Sequence, residues 1–149
     1  MYAKRKRDNM ENMTNVIDNI QRDIHDSINA AIEKAARDIC ENMKDKLKAG
    51  GHTGSGKLLD SITYDINDVG GGYTEAVVSM ASYGKFIDSG TGKAHGGVRE
   101  GYWRYKDREG NWHTTDGMDA DPFIDISVDT ALNNLGDEIA QQLNITFRG

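Results

Sequence analysis

The stretch that decides the fold is Ser61-Ile62-Thr63-Tyr64-Asp65-Ile66-Asn67-Asp68-Val69-Gly70-Gly71-Gly72, which leads into a second β-rich run from Tyr73 to Met80. Apolar and polar residues alternate in the first run, so that Ile62, Tyr64 and Ile66 share one face of an extended strand. The three glycines supply the backbone freedom that a tight turn needs. The pattern therefore predicts an antiparallel β-hairpin.

A second hairpin is predicted further along the chain. Residues 102–106 and 111–114 are rich in β-forming side chains and flank Asp107-Arg108-Glu109-Gly110, a turn-like tetrapeptide. This hairpin lies inside a segment, residues 92–118, that we expect to form an extended loop or hairpin. Just before it, residues 83–89 predict a short helix that Gly90 ends.

Helices are predicted on both sides of these hairpins. Residues 1–49 contain no glycine, whereas residues 50–117 contain 15 of the 17. Apolar residues from Val16 to Leu47 recur in steps of three and four, which predicts a helix over about residues 10–48 that ends at Gly50. A similar stripe runs from Ile124 to Leu143, with Asp121 as the expected N-cap and Pro122 at the first helical position.

Together these patterns predict an α+β fold. An antiparallel β-sheet of two hairpins is packed by a long N-terminal helix and a C-terminal helix, and residues 1–149 form a single domain. Residues 1–9, which include the basic run Lys4-Arg5-Lys6-Arg7, are expected to form a disordered tail. Only 28 residues, 19% of the chain, are Leu, Ile, Val or Phe, so we expect neighbouring molecules to contribute to stability.

Composition excludes several classes of protein. One cysteine excludes a disulfide framework, and no apolar run reaches the length of a membrane-spanning helix. The basic N-terminus continues into polar residues, unlike a signal peptide. A net charge of −6 and a pI near 5.1 argue against a general nucleic-acid binder.

One segment resembles a phosphate-binding loop. Gly51-His52-Thr53-Gly54-Ser55-Gly56-Lys57 has its glycine–lysine skeleton, but Leu58 stands where Ser or Thr would hold Mg²⁺, and the segment follows a helix instead of a strand. A flexible glycine loop is favoured, and a nucleotide-binding enzyme that uses Lys57 is the lesser alternative. The histidines lack metal-ligand spacing, and no catalytic constellation is found, so we expect no enzyme activity, metal or cofactor.

Three short motifs resemble the tail-completion, or head–tail joining, proteins of tailed bacteriophages. The first follows the long helix, the second lies before the 92–118 segment, and the third opens the last helix. Asp88 and Gly84 stand where that family has Glu and Ala. The motif residues are Ser55, Gly56, Leu58, Ser61 and Ile62; Tyr83, Phe86, Asp88, Gly90 and Thr91; and Pro122 and Phe123.

The resemblance implies a structural virion protein that assembles in the host cytoplasm. Its copies would form a ring, expected to be a hexamer, at the head-proximal end of the tail or in the neck. The ring would join connector and tail-tube proteins and let DNA pass without sequence-specific binding, with no membrane involved. The alternative is a minor tail or baseplate protein.

Two sets of residues are candidates for contacts in such a ring. The aromatic residues of the second hairpin are candidates for contact with a neighbouring ring, and they are Trp103, Tyr105 and Trp112. Residues 118–149 carry a net charge of −5, which could face the channel and repel DNA. The candidate channel-facing residues are Asp125, Asp129, Asp137 and Glu138.

Overall fold

A computed structural model describes residues 1–95, 97 and 99–148 of the chain. Residues 96 and 98 of the 92–118 segment, and Gly149, lie outside the described residues. The elements, in chain order, are α1 (Tyr2–Ala49), α2 (Lys57–Ser61), β1 (Thr63–Gly70), β2 (Tyr73–Ser79), α3 (Gly84–Ser89), β3 (Trp103–Lys106), β4 (Trp112–Thr115) and α4 (Ile124–Arg148). The predicted α+β class is confirmed.

Both predicted hairpins are present, but each forms its own two-stranded antiparallel sheet. In the first, Thr63 pairs with Ser79 and Asn67 with Glu75, and a bulge near Gly70 precedes the turn. In the second, Trp103 pairs with Thr115. Residues 57–61, for which the sequence predicted no helix, form the helix α2.

α1 is the central packing element. α4 lies along it in the antiparallel direction, and the first hairpin packs on α1 as well. At one end of this arrangement a buried apolar cluster joins α1, α2 and the start of α4, and its members are Cys40, Met43, Leu47, Leu58, Ile62 and Phe123. Elsewhere the buried positions are small, among them Ala31 and Ala35 of α1 and Ser127 and Ala131 of α4. Small side chains let two helices approach closely, so few large aliphatics are needed there.

Residues 2–9, which were expected to belong to a disordered tail, are helical in the structure, because α1 begins at Tyr2. The segment contains neither glycine nor proline, and its Lys and Arg residues are good helix formers. Every residue from 1 to 24 is exposed. We call residues 2–26 the arm. At about 1.5 Å per residue it is close to 40 Å long.

Candidate functional site

The first motif joins α2 to the first hairpin. The Ser61 hydroxyl donates to the carbonyl oxygen of Leu58 at 2.7 Å and accepts the backbone N–H of Ala81 at 2.9 Å. Leu58 and Ile62 are buried in the apolar cluster. Gly56 has φ +79 at the N-terminus of α2, a conformation that favours glycine. These motif residues therefore hold the fold together and do not form a reactive site.

The second motif contributes the N-terminal cap of α4. An Asp88 carboxylate oxygen accepts the backbone N–H of Ile124 at 2.9 Å, although the two residues are 36 positions apart. Asp121, which the sequence predicted as the cap, instead pairs with His52 at 3.1 Å beside the end of α1. The carboxylate of Asp88 also lies at the positive end of the helix dipole. Asp88 thus ties α3 to α4.

Replacing Asp88 with alanine is expected to lower the free energy of unfolding by about 1 kcal/mol, because an N–H of the first turn of α4 loses its acceptor. Asp88→Asn keeps an acceptor oxygen and should lose less. Urea unfolding followed by circular dichroism measures both variants. Equal losses for the two variants would show that charge, and not the hydrogen bond, is what matters at this position.

The rest of the motif closes the base of the 92–118 segment. Thr91 and Met118 exchange two backbone hydrogen bonds, each 2.9 Å long.

Phe123 is fully buried, whereas Pro122 beside it is exposed. Tyr83 and Phe86, the aromatic residues of the second motif, are 47% and 50% exposed. Their aromatic surface is therefore free to contact another molecule.

The hairpin of β3 and β4 combines aromatic and basic side chains. Trp112 is 57% exposed, and the cations of Arg104 and Lys106 lie 4.9 and 5.0 Å from its ring centre. Tyr105 stacks on His113 with ring centres 5.3 Å apart. Trp103 is partly covered, with Arg99 4.4 Å from its ring. Such amphipathic aromatic surfaces are enriched at the centres of protein interfaces.

A shallow hollow adjoins this hairpin and encloses about 520 Å³. Phe86 of the second motif and Trp103 and Arg99 of the 92–118 segment line it, together with small residues such as Gly90 and Thr91. The motif residues and the aromatic hairpin, which the sequence treated separately, therefore border one surface.

His95 fixes the two ends of the 92–118 segment relative to each other. Its Nδ1 lies 2.5 Å from a carboxylate oxygen of Asp119, and its Nε2 lies 3.2 Å from one of Asp116. The hydrogen bond to Asp119, and then that to Asp116, raises the pKa of His95 above its ordinary value. A cationic imidazole that donates to both carboxylates fits this geometry.

We expect the 92–118 segment to loosen as the pH rises. The pKa of His95 is raised in the folded chain. Its contribution to the stability of the 92–118 segment is therefore fully present below the ordinary pKa of 6.5, and it is lost as the pH rises through the raised pKa. Hydrogen-exchange protection of the Thr91 and Met118 amides should fall over this range. His95→Gln should remove the dependence. Equal protection of these amides below and above the pKa of His95 would contradict the role given to His95.

The four acidic candidates on and near α4 do not behave as one group. Asp125, Asp129 and Asp137 are exposed. Glu138 instead lies 2.8 Å from Lys34 of α1, and this hydrogen bond, followed by that to Asp38, raises the pKa of Lys34. Glu138 therefore pairs with its own chain, unlike the three exposed carboxylates.

The loop before α2 does not have the geometry of a phosphate site. The backbone N–H groups of Gly51, His52 and Gly56 donate to carbonyl oxygens of the chain itself, at 3.1, 2.8 and 2.7 Å. They cannot also cradle a phosphate without breaking these bonds. The helix that follows is only five residues long and gives little dipole. The glycine loop is thus better explained as the segment that ends α1.

Two structural features were not predicted from the sequence. The Asp88 cap was missed because a contact between residues 36 positions apart leaves no local signal. The apolar stripe of α1 was only partly recognised, because Met10 and Met13 continue its spacing from Val16 towards the N-terminus. None of the helices in the described part of the chain has an apolar stretch that could cross a membrane.

Comparison with known families agrees with the motifs. The family model described as "Bacteriophage HK97-gp10, putative tail-component" matches residues 11–90, more than half of the 149 residues. The match covers the arm from residue 11, the first motif, the first hairpin and the second motif up to Gly90. No curated protein and no solved structure matches the chain. The extent of the family match shows that the chain belongs to the HK97-gp10-like family of bacteriophage tail components.

Proposed function

We propose that this tail component is a tail-completion, or head–tail joining, protein whose copies form a ring at the head-proximal end of the tail or in the neck. The ring, expected to be a hexamer, joins connector and tail-tube proteins and leaves a channel for DNA. The observation that carries the proposal is the exposure of apolar side chains on separate elements of one small chain: Phe86 of α3 is 50% and Leu132 of α4 is 53% exposed. A closed ring requires such separate patches, because each subunit contacts its two neighbours through different surfaces.

Within such a ring the two candidate surfaces take different places. The hairpin with Trp103, Tyr105 and Trp112 contacts a neighbouring ring, supported by its exposed aromatic and cationic side chains. Asp125, Asp129 and Asp137 face the channel, where their charge keeps DNA from adhering. A ring structure with these three carboxylates remote from the lumen would overturn the second assignment.

Deleting the gene from the phage genome tests the proposed function. We expect DNA-filled heads and separate, finished tails in the lysate, with joined particles restored by the native gene supplied on a plasmid. Trp112→Ala should restore fewer joined particles, whereas Asn133→Ala, a change at an exposed polar position of α4, should restore them fully. Tails that lack only their distal structure would favour the minor tail or baseplate alternative. Normal particles would exclude both.

A further inference from the structure

Exposed apolar side chains form a row along one side of the arm, which we call the seam. Its members lie at alternating steps of three and four, the spacing of the a and d positions of a coiled coil. The seam residues are Met10 (56% exposed), Met13 (63%), Ile17 (49%), Ile20 (41%) and Ile24 (36%). The same side of α1 continues into Ser27 and Ala31, which are buried against the rest of the chain. The seam therefore extends a packing surface beyond the point where the chain covers it.

The rest of the arm fits a helix that packs against another helix. Thr14 and Gln21, which flank the seam, are uncharged, while Glu11, Asp18 and Arg22 lie away from it. The arm also contains several poor helix formers, namely Asn9, Asn12, Asn15 and Asn19. A helix of this composition is marginal in water by itself, because most helical stability in proteins comes from packing of the apolar face.

The charges along the arm suit the same arm of a second copy. Residues 4–7 are four consecutive cations, whereas residues 18–26 contain three aspartates and one arginine. An antiparallel pairing that places Met13 against Ile17 of the second copy also places Arg7 beside its Asp23 and Lys4 beside its Asp26. A parallel pairing would instead set the two basic ends side by side.

We propose that the arm, residues 2–26, packs antiparallel against the arm of a second copy of this chain. The contact goes beyond the proposed function, because a two-fold contact cannot close a ring and is separate from the contacts within it. It is symmetric, so it pairs two subunits, and the ring contacts are made by other surfaces. Pairing removes the seam from water and supplies the packing that keeps the arm helical.

Two double variants of the full chain test the apolar seam. Ile17→Asp with Ile20→Asp places charge on the seam, whereas Asn12→Asp with Asn15→Asp adds the same two carboxylates to the exposed polar side of the arm. Sedimentation equilibrium should show concentration-dependent association of the native chain. The seam variant should bind itself at least about 100-fold more weakly, and the control should match the native chain. A monomeric native chain, an unaffected seam variant or an equally weakened control would overturn the proposal.

A charge exchange tests the antiparallel direction. Lys4→Glu with Arg7→Glu, and separately Asp23→Lys with Asp26→Lys, should each weaken self-association by about tenfold at low salt. An equimolar mixture of the two variants should associate as tightly as the native chain, because each basic segment again meets an acidic one. A mixture no tighter than the separate variants would overturn the pairing.

The failure of this proposal and that of the proposed function are distinguishable. If the arm does not pair but deletion of the gene still leaves heads and tails unjoined, the contact between arms is wrong and the joining role stands. If the arms pair but particles assemble normally without the gene, the joining role is wrong and the contact stands.

Discussion

Replacing Gly90 with alanine is expected to lower the free energy of unfolding by about 4 kcal/mol, through left-handed strain and steric overlap together. Gly90 has φ +77, and a Cβ there would overlap the carbonyl oxygen of His95 and lie 2.9 Å from the backbone nitrogen of Ala120. Both obstacles belong to backbone that the Thr91–Met118 pairing holds in place. The strain therefore cannot be relieved by rotating a side chain.

Gly110→Ala is the matched control. Gly110 has φ +88 in the turn between β3 and β4, and a Cβ there would meet no atom within 4 Å among the described residues. Gly110→Ala should lower the free energy of unfolding by about 1 kcal/mol, the strain of the left-handed backbone alone. Urea unfolding of both variants separates the two contributions. Equal losses of unfolding free energy in the two variants would show that steric overlap at Gly90 contributes nothing.

Truncating Phe123 to alanine is expected to cost about 4 kcal/mol of unfolding free energy. Its side chain is fully buried in the cluster that joins α1, α2 and α4, so the substitution leaves a cavity that rigid neighbours can only partly fill. The small core makes the consequence severe, since few other large side chains support the start of α4.

Phe86→Ala is the control for this prediction, because the Phe86 side chain is 50% exposed. Its effect on unfolding of the isolated chain should stay within about 0.5 kcal/mol. Chemical denaturation at low protein concentration compares the two variants. A loss at Phe86 as large as that at Phe123 would mean that the face bearing Phe86 is already covered in the free protein.

Periodic signals in the sequence predicted the elements well. The stripe in α1, the alternation in β1 and the Pro122-Phe123 start of α4 each depend on neighbours a few residues apart, and each element is present. The boundaries were less accurate: α1 extends back to Tyr2, and residues 57–61 form the helix α2, which was not predicted. A short helix such as α2 is decided by tertiary contacts, here the Ser61 bonds and the burial of Leu58.

Contacts between distant parts of the chain could not be predicted from spacing. Asp88 caps α4, His95 joins Asp116 to Asp119, and Glu138 pairs with Lys34. Carboxylates are abundant in this acidic chain, so composition alone could not distinguish those held by a partner from those left exposed. The distinction bears on the proposed channel, because Asp129 is exposed whereas Glu138 is held by Lys34.

The scarcity of large aliphatic residues has a structural counterpart. Close helix packing through Ala31, Ala35 and Ala131 needs few of them, while Ile17 and Ile20 remain on the bare seam of the arm. The apolar surface is thus divided between a small core and surfaces open to other molecules. This division is expected of a chain whose stable form is an assembly.

Cryo-electron microscopy of the intact phage particle tests the central claim most directly. We expect a ring of copies of this chain between the connector and the head-proximal end of the tail tube, with the long helix α1 and the hairpin of β1 and β2 visible in each subunit. Density for the chain at the baseplate or along the tail, or its absence from the particle, would contradict the account.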